Sequence, residues 1–358
     1  MTFLSEKYRP KTLDSLTLHP GANEILSKIS QTNAFPHLLF CGPPGSGKKT
    51  RVLAFLRSLF QAEIEHLRSE YRTIEVNDKK IEVLVTSSPY HVEITPADAG
   101  NYDRHVISFF LKEVAASATV SKSPIKVVII NEANRLSRLA QQALRRTMEK
   151  YARTCRLILI ADSLSQIIEP VRSRCLIIRT PRVLPNDLGA IVSEVATKEN
   201  IELSDEALQE IVSMAEGNVR VALLTLDRLQ LESGRNIQDL APEWVKYISD
   251  LCDSILQSNL TPDLMKTIRN NLYELLIHSI PPTVILQHLL SGLLPKIDDA
   301  LMDPVCQSAA IYEERLKTGT KAIFHLEAFV AKFIVLYKDS LILNKKWDSI
   351  VFCLIFYH

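Results

Sequence analysis

The stretch that decides the fold is His37-Leu38-Leu39-Phe40-Cys41-Gly42-Pro43-Pro44-Gly45-Ser46-Gly47-Lys48-Lys49-Thr50. A short, mostly apolar run of the kind that forms a buried parallel strand enters a glycine-rich turn, and the turn enters a helical pattern over Lys49–Phe60. Three of the ten glycines of the chain fall in this turn. Glycine there lets successive backbone N–H groups converge on phosphate oxygens, the helix N-terminus adds partial positive charge, and Lys48 reaches the outer phosphates. Strand, loop and helix together predict a phosphate loop built from Gly42 to Lys48, and with it bound ATP or ADP.

The loop departs from the usual pattern in its last positions. Ser or Thr is expected after the lysine, because its hydroxyl ligates Mg²⁺; here that position is Lys49, and the threonine comes one residue later as Thr50. A second apolar run, Val127-Val128-Ile129-Ile130, should end in Asp-Glu, the first acid serving the metal and the second positioning water. It ends in Asn131-Glu132. Two supports for Mg²⁺ are altered together, so the sequence predicts weak or absent Mg and impaired hydrolysis, with Glu132 the remaining catalytic acid. The competing reading is that Thr50 slips into register and Asn131 coordinates weakly, leaving a slow ATPase.

Outward from the loop, 126–130 and 156–160 read as further buried strands, and 140–151 as a helix between them. That alternation implies an α/β domain with a parallel sheet. After about residue 182 the strand-like runs stop. Pro185-Asn186-Asp187 and Leu203-Ser204-Asp205-Glu206 read as helix starts, and Glu216-Gly217-Asn218 as a helix end followed by a new start. Glu232-Ser233-Gly234-Arg235-Asn236 is polar and turn-rich and reads as a linker. Beyond it, 264–280, 282–294 and 323–337 are apolar-periodic, enough for a second helical domain of four or five helices. The expected division is a nucleotide-binding domain at 1–165, a small helical domain at 166–235, an all-α domain at 236–342 and an atypical tail at 343–358.

Composition narrows the class. At 358 residues, with 46% apolar and 23% charged residues, the chain suits several globular domains. A net charge of +1 supplies no whole-molecule field for nucleic acid or an anionic membrane, so contacts with DNA must come from local clusters. The six cysteines form no C-x-x-C pair, which argues against zinc sites and a disulfide framework. Met1–Pro10 has early charge and no apolar core of a secretory signal, and no stretch reaches the roughly 20 apolar residues of a membrane span. The expectation is an intracellular protein that makes no use of a membrane.

Tyr8-Arg9-Pro10, Gly42–Thr50, Ala143-Leu144-Arg145-Arg146-Thr147-Met148-Glu149 and Ser173-Arg174-Cys175 together resemble the small subunits of eukaryotic replication factor C, a clamp loader of the AAA+ class. The Lys49 and Asn131 departures, Asp98-Ala99-Gly100-Asn101 and the stretch from Lys321 to Phe333 resemble most the member at the end of the five-subunit arc, whose own ATP site is degenerate. The resemblance runs from about Phe3 to about Leu341. Residues 343–358 match nothing expected of the family, which suggests a mis-spliced or read-through terminus.

The resemblance implies a RecA-like AAA+ domain, a helical lid and a helical collar that assembles with four other replication factor C subunits. It further implies a nuclear protein that helps load the sliding clamp, proliferating cell nuclear antigen, onto primer–template DNA in replication and repair, and that also joins alternative large subunits in checkpoint and cohesion loaders. By the same resemblance Arg174 is an arginine finger for a neighbour's nucleotide, a role to which a planar fork of donors is suited. Arg220 touches the phosphates from the lid. Asp162 sits where a polar sensor belongs and would repel a γ-phosphate, and Tyr8, Arg9 and Pro10 border the adenine. Arg104, Lys112 and Arg145, or its neighbour Arg146, are candidate DNA contacts, and Phe109 and Phe110 candidate clamp anchors. An autonomous AAA+ ATPase, or a scaffold for which nucleotide is dispensable, are the rival functions.

Overall fold

The computed structural model describes residues 2–32, 35–60, 68–76, 79–116, 126–152, 154–231, 242–257, 262–319 and 321–355. It divides into two units, Met1–Ile237 and Gln238–His358. In the first, the described elements follow in the order α1 (Leu4–Lys7), α2 (Pro20–Gln31), β1 (His37–Cys41), α3 (Lys48–Phe60), β2 (Arg68–Val76), β3 (Lys79–Ser87), β4 (His91–Ile94), α4 (Asp103–Ala116), β5 (Lys126–Ile130), α5 (Arg138–Lys150), β6 (Cys155–Ala161), α6 (Glu169–Arg172) and β7 (Cys175–Arg179), then α7 (Pro185–Lys198), α8 (Asp205–Ala215) and α9 (Val219–Leu231).

β1 is buried at all five positions, as a strand covered on both faces must be. It lies between β6 and β7, parallel to both, in a sheet of order β2-β3-β4-β5-β6-β1-β7. β4, β5 and β6 continue the parallel set, while β2 and β3 pair antiparallel beyond β4. The carboxyl ends of β1, β4, β5, β6 and β7 therefore share one edge of the sheet, where ligands bind in open α/β sheets.

Alternation along the strands splits the core in two. Val127, Ile129, Ile158 and Ile160 pack with Leu26, Val52, Phe55 and Leu56 on the side of α2 and α3. Val128, Ile130, Leu157 and Leu159 pack with Val106, Phe110, Leu144 and Met148 on the side of α4 and α5. α5 is started by Ser137, whose hydroxyl accepts from the N–H of Ala140. The buried carboxylate of Asp103 accepts from the N–H and hydroxyl of Ser137 at 2.7 and 3.0 Å, tying the start of α4 to that of α5.

Strands β2, β3, β4 and β7 are not visible as apolar runs. β2 and β3 carry buried Ile74, Val76, Val83 and Val85 between polar residues and the exposed Tyr71 and Leu84, and β4 is only four residues long with His91 and Glu93 in it. β7 pairs along β1, so the sheet extends beyond the expected boundary at 165/166, and the first helix after it begins at Pro185.

Helices α7, α8 and α9 enclose their own small core of Leu188, Val192, Ile211, Ala222 and Leu226, and Leu4 of α1 joins it. The carboxylate of Asp227 accepts from the Leu4 N–H, at 3.0 Å for the nearer oxygen. Ser204 caps α8, accepting from Ala207, and α8 ends at Glu216 in the left-handed region (φ 47°). The expected linker at 232–236 lies outside the described residues.

The second unit comprises α10 (Glu243–Gln257), α11 (Pro262–Ile277), α12 (Pro282–Leu293), α13 (Asp299–Thr318) and α14 (Ala322–Ile355). Leu251, Cys252, Leu272, Leu289, Leu326, Phe329, Val330 and Phe333 form its centre. α14 continues through much of the tail expected to be atypical, whose last three residues, 356–358, lie outside the described part.

Candidate nucleotide-binding site

The turn after β1 is fastened at both ends. The N–H of Thr180, just past β7, donates to the Cys41 carbonyl at 2.8 Å, and a Cβ on Gly42 would fall 1.9 Å from the Thr180 carbonyl oxygen, so only glycine fits. Gly45, at φ +73°, lies against the lid: a Cβ there would meet Asn218 Oδ1 at 1.7 Å. Asn218 in turn starts α9, its Oδ1 accepting from the N–H groups of Arg220 and Val221 at 3.1 and 3.2 Å. The loop thus meets the start of α9 directly, the Asn218 side chain lying against Gly45 and the Val219 N–H donating to the Gly45 carbonyl at 3.3 Å. Ser46 is fully buried, its hydroxyl 3.2 Å from that of Thr180.

Around this turn opens a cavity of about 630 Å³, lined by Tyr8, Arg9, Pro10, Pro44 to Arg51, Asn131, Glu132, Asp162 and Arg220 among others. That volume suits a nucleotide-sized ligand. Fourteen of the residues singled out from sequence for nucleotide or catalysis therefore converge from α1, the loop, the ends of β5 and β6 and the start of α9; Gly42 and Pro43 lie behind the wall. A groove of about 890 Å³ between α7 and α8 is larger, but it has no phosphate loop, and its Arg182 is paired with Glu216 at 2.8 Å.

Lys48 and Lys49 of the cavity are already engaged. Lys48 is buried and donates to the carbonyls of Gly42 and Pro43 at 2.6 and 2.8 Å and to Asp162 Oδ1 at 2.9 Å, which uses all three ammonium hydrogens. Asp162, expected to repel a γ-phosphate, is here the partner of the loop lysine. Lys49 donates to Glu93 Oε1, and Asn131 Nδ2 donates to the same oxygen at 2.7 Å. The Glu93 side chain is 8% exposed, so its charge depends on these two donors. Glu132 lines the cavity with its Oε2 pairing with Arg135 at 2.7 Å.

Behind this pair, on the same strand, His91 is buried with Nδ1 2.8 Å from the Ser88 hydroxyl and Nε2 without a partner. Burial pushes its pKa down to about 4; Glu93 opposes that shift and Lys49 adds to it. Arg51, one residue past Thr50, is also buried; it donates to Asn23 Oδ1 at 2.8 Å and the Leu18 carbonyl at 2.9 Å, and burial lowers its pKa to about 10. Tyr8 is held by its hydroxyl bond to Glu199 at 2.6 Å, with Lys198 5.7 Å from the centre of its ring.

Arg174 belongs to a different place. It follows α6, donates to the Pro170 carbonyl at 2.7 Å and pairs with Glu149 of α5 at 2.6 Å. Arg145 shares the same Glu149 oxygen at 3.4 Å, and the hydrogen bond from Arg174 is the main reason the Glu149 carboxyl is held below its ordinary pKa. Arg138, Gln142, Arg145, Arg146 and Glu149 line a groove of about 670 Å³ there.

Comparison with known proteins decides the family. The chain is 46% identical over 343 residues to replication factor C subunit 5 of Schizosaccharomyces pombe, covering 93% of this chain and 96% of that one. It is 44% identical over 345 residues to replication factor C subunit 3 of Homo sapiens, covering 94% and 97%. This chain belongs to the replication factor C small subunits. Family descriptions match in three blocks: the DNA polymerase III delta subunit over 18–183, the RCF1/5-like AAA+ ATPase lid domain over 190–230, and the replication factor C subunit 3 C-terminal domain over 244–341. Among solved structures it is similar to Thermotoga maritima RuvB at 16% identity and a TM-score of 0.47, covering 76% of this chain and 86% of that one, too loose a likeness to carry argument.

The fold expected by resemblance is thus present in this replication factor C chain, with a RecA-like AAA+ sheet, lid and helical C-terminal domain. Arg104 and Lys112 are exposed on α4, just over two turns apart, whereas Arg145 lies with Arg174 on the Glu149 side of α5. The expected pair of clamp anchors divides. Phe110 is buried among Ile107, Leu111 and the sheet, because it lies on the inward face of α4, so it is core; Phe109, one position earlier, is 45% exposed. Glu93, His91 and Arg51 escaped sequence reading altogether. A polar residue at a strand end and a cation after the loop threonine carry no distinctive spacing.

Proposed function

We propose that this chain is the small subunit of a nuclear clamp loader that binds ATP or ADP, hydrolyses it weakly or not at all, and donates Arg174 to the nucleotide of a neighbouring subunit. The observation that carries this reading is the pairing of a complete phosphate loop with a spoiled metal side: Lys49 and Asn131 both donate to Glu93 where a divalent ion requires oxygen ligands. The chain works with four other replication factor C subunits, or with an alternative large subunit of a checkpoint or cohesion loader. Its substrates are the sliding clamp and a primer–template junction, which Arg104, Lys112 and Arg145 meet through phosphates. Such contacts are independent of sequence and weaken with salt.

Support comes from family membership across more than nine-tenths of the chain and from a cavity whose lining includes the loop, the lid arginine Arg220 and the amino-terminal Tyr8-Arg9-Pro10. The test is affinity purification of the tagged full chain with mass spectrometry, alongside single-turnover phosphate release by the chain alone. Four related AAA+ chains with a ring clamp, and release far below about 1 s⁻¹, a low turnover for an enzyme, are the expected results. Brisk turnover without companions would identify an autonomous ATPase instead.

A further inference from the structure

The Lys49–Glu93–Asn131 cluster does more than lack metal ligands. Its geometry has an order: the Glu93 carboxylate is buried behind the wall, outside the cavity lining, while Lys49 and Asn131 line the cavity itself, and Lys49 remains 43% exposed. The ammonium is therefore held by a carboxylate largely shielded from solvent, on a side chain that lines the space beside the phosphate loop. Asn131 is set by its own backbone, its N–H donating to the Ile94 carbonyl at 3.0 Å, and spends its amide hydrogens on Glu93 and on the Thr95 hydroxyl, 3.4 Å away.

A magnesium ion needs a near-octahedral shell of oxygens. At position 49 this wall offers it an ammonium, which has no lone pair; the Glu93 oxygen beside it is claimed by two donors, and of the carboxylates lining the cavity Asp162 is paired with Lys48 and Glu132 with Arg135. Bound phosphates still need counter-charge, because an anionic chain of phosphates taken out of water is costly unless it is paired. We propose that the Lys49 ammonium, tethered by Glu93, is the built-in counter-cation of this site, and that adenine nucleotide binds here without magnesium. Glu93 is the positioning residue: it keeps the lysine at the wall and balances its charge when the cavity is empty. The inference rests on the nucleotide-binding reading above and adds the lysine that stands in for the metal and the carboxylate that positions it.

The test is a titration of the full chain with ADP by calorimetry, in magnesium and then in EDTA. Affinity equal within about twofold in the two buffers is the expected result, whereas weakening by about tenfold or more in EDTA overturns the proposal while leaving nucleotide binding intact. Absence of ADP binding in both buffers overturns this inference and the nucleotide-binding reading together. The Lys49→Thr variant, which restores the hydroxyl a metal uses, is expected to lose about tenfold in EDTA and to regain it in magnesium, and equal loss in both buffers counts against the counter-cation role. Because the wild-type comparison needs no variant, a failure of Lys49→Thr to fold leaves the test standing.

Discussion

Two places in this chain are proposed to present cations to phosphate, and they hold those cations differently. In the cavity, Lys48 has three partners and Lys49 is locked to a carboxylate that is 8% exposed; beside α5, Arg174 is 33% exposed and its partner Glu149 47% exposed. An exposed pair contributes under about 1 kcal/mol, so Glu149 surrenders Arg174 readily to a stronger acceptor. Separating a buried carboxylate from its cation costs several times more. On the proposed function, the chain holds its own phosphate site with a buried carboxylate and carries its donation to another site on an exposed, weaker pair. Fixed charges suit a ligand that stays; a releasable guanidinium suits a transition state that comes and goes.

The largest expected effect breaks the loose half of that contrast. Arg174→Ala in the assembled loader should lower the stimulated ATPase by about 10³-fold, the lower end of what such arginines contribute elsewhere, while ADP affinity at the chain's own cavity is unchanged. An unaltered steady-state rate would place Arg174 outside the chemistry and leave it as a surface ion pair.

The next effect probes the buried half. With His91 held near pKa 4 in the fold against about 6.5 in an unfolded chain, the unfolded state binds the proton first. Stability is therefore full above about pH 6.5, falls as pH drops through the window down to about 4, and loses about 3 kcal/mol across it. Urea unfolding of wild type and His91→Gln across that window should show the difference between the two shrinking away; parallel pH profiles would mean the imidazole is not desolvated as described.

A smaller change is expected for Lys49→Ala. Glu93 then retains only Asn131 as a donor, and the variant should be destabilised by about 2 kcal/mol, reduced from a fully buried pair because Lys49 itself is partly solvated. Glu149→Gln should move the unfolding midpoint least, by the equivalent of under about 1 kcal/mol, and the shift should fade with added salt. If Glu149→Gln proved the more damaging of the two, the distinction between wired and loose sites would be reversed.

The same division separates what could be read from residues in order from what could not. The phosphate loop, the three apolar strand runs and the two altered metal positions are local: each is a short spacing whose meaning depends on its immediate neighbours, and each was legible without coordinates. So was the convergence implied by parallel strands, since their carboxyl ends must share an edge. Where the sheet ended was not, because β7 declares itself only by pairing along β1. Nor did Ile107–Leu111 disclose which phenylalanine faces out; the burial of Phe110 and exposure of Phe109 follow from the side of α4 that meets the sheet.

By itself, then, the sequence determined that a phosphate-loop turn precedes a helix and that a lysine and an asparagine stand at positions 49 and 131, where the usual metal-side residues are a hydroxyl and an acid. Only the tertiary structure decided what replaces that ion's surroundings. Glu93 lies 38 residues from Asn131 and comes to it because β4 runs parallel to β5 with Glu93 opposite Ile129, and Lys49 reaches the same carboxylate from the start of α3, 44 residues away. Glu149 likewise reaches Arg174 across α5 and α6. Pairings at such separation are set by strand register and helix packing, which no short pattern encodes, whereas the chemistry of the loop is carried by consecutive residues.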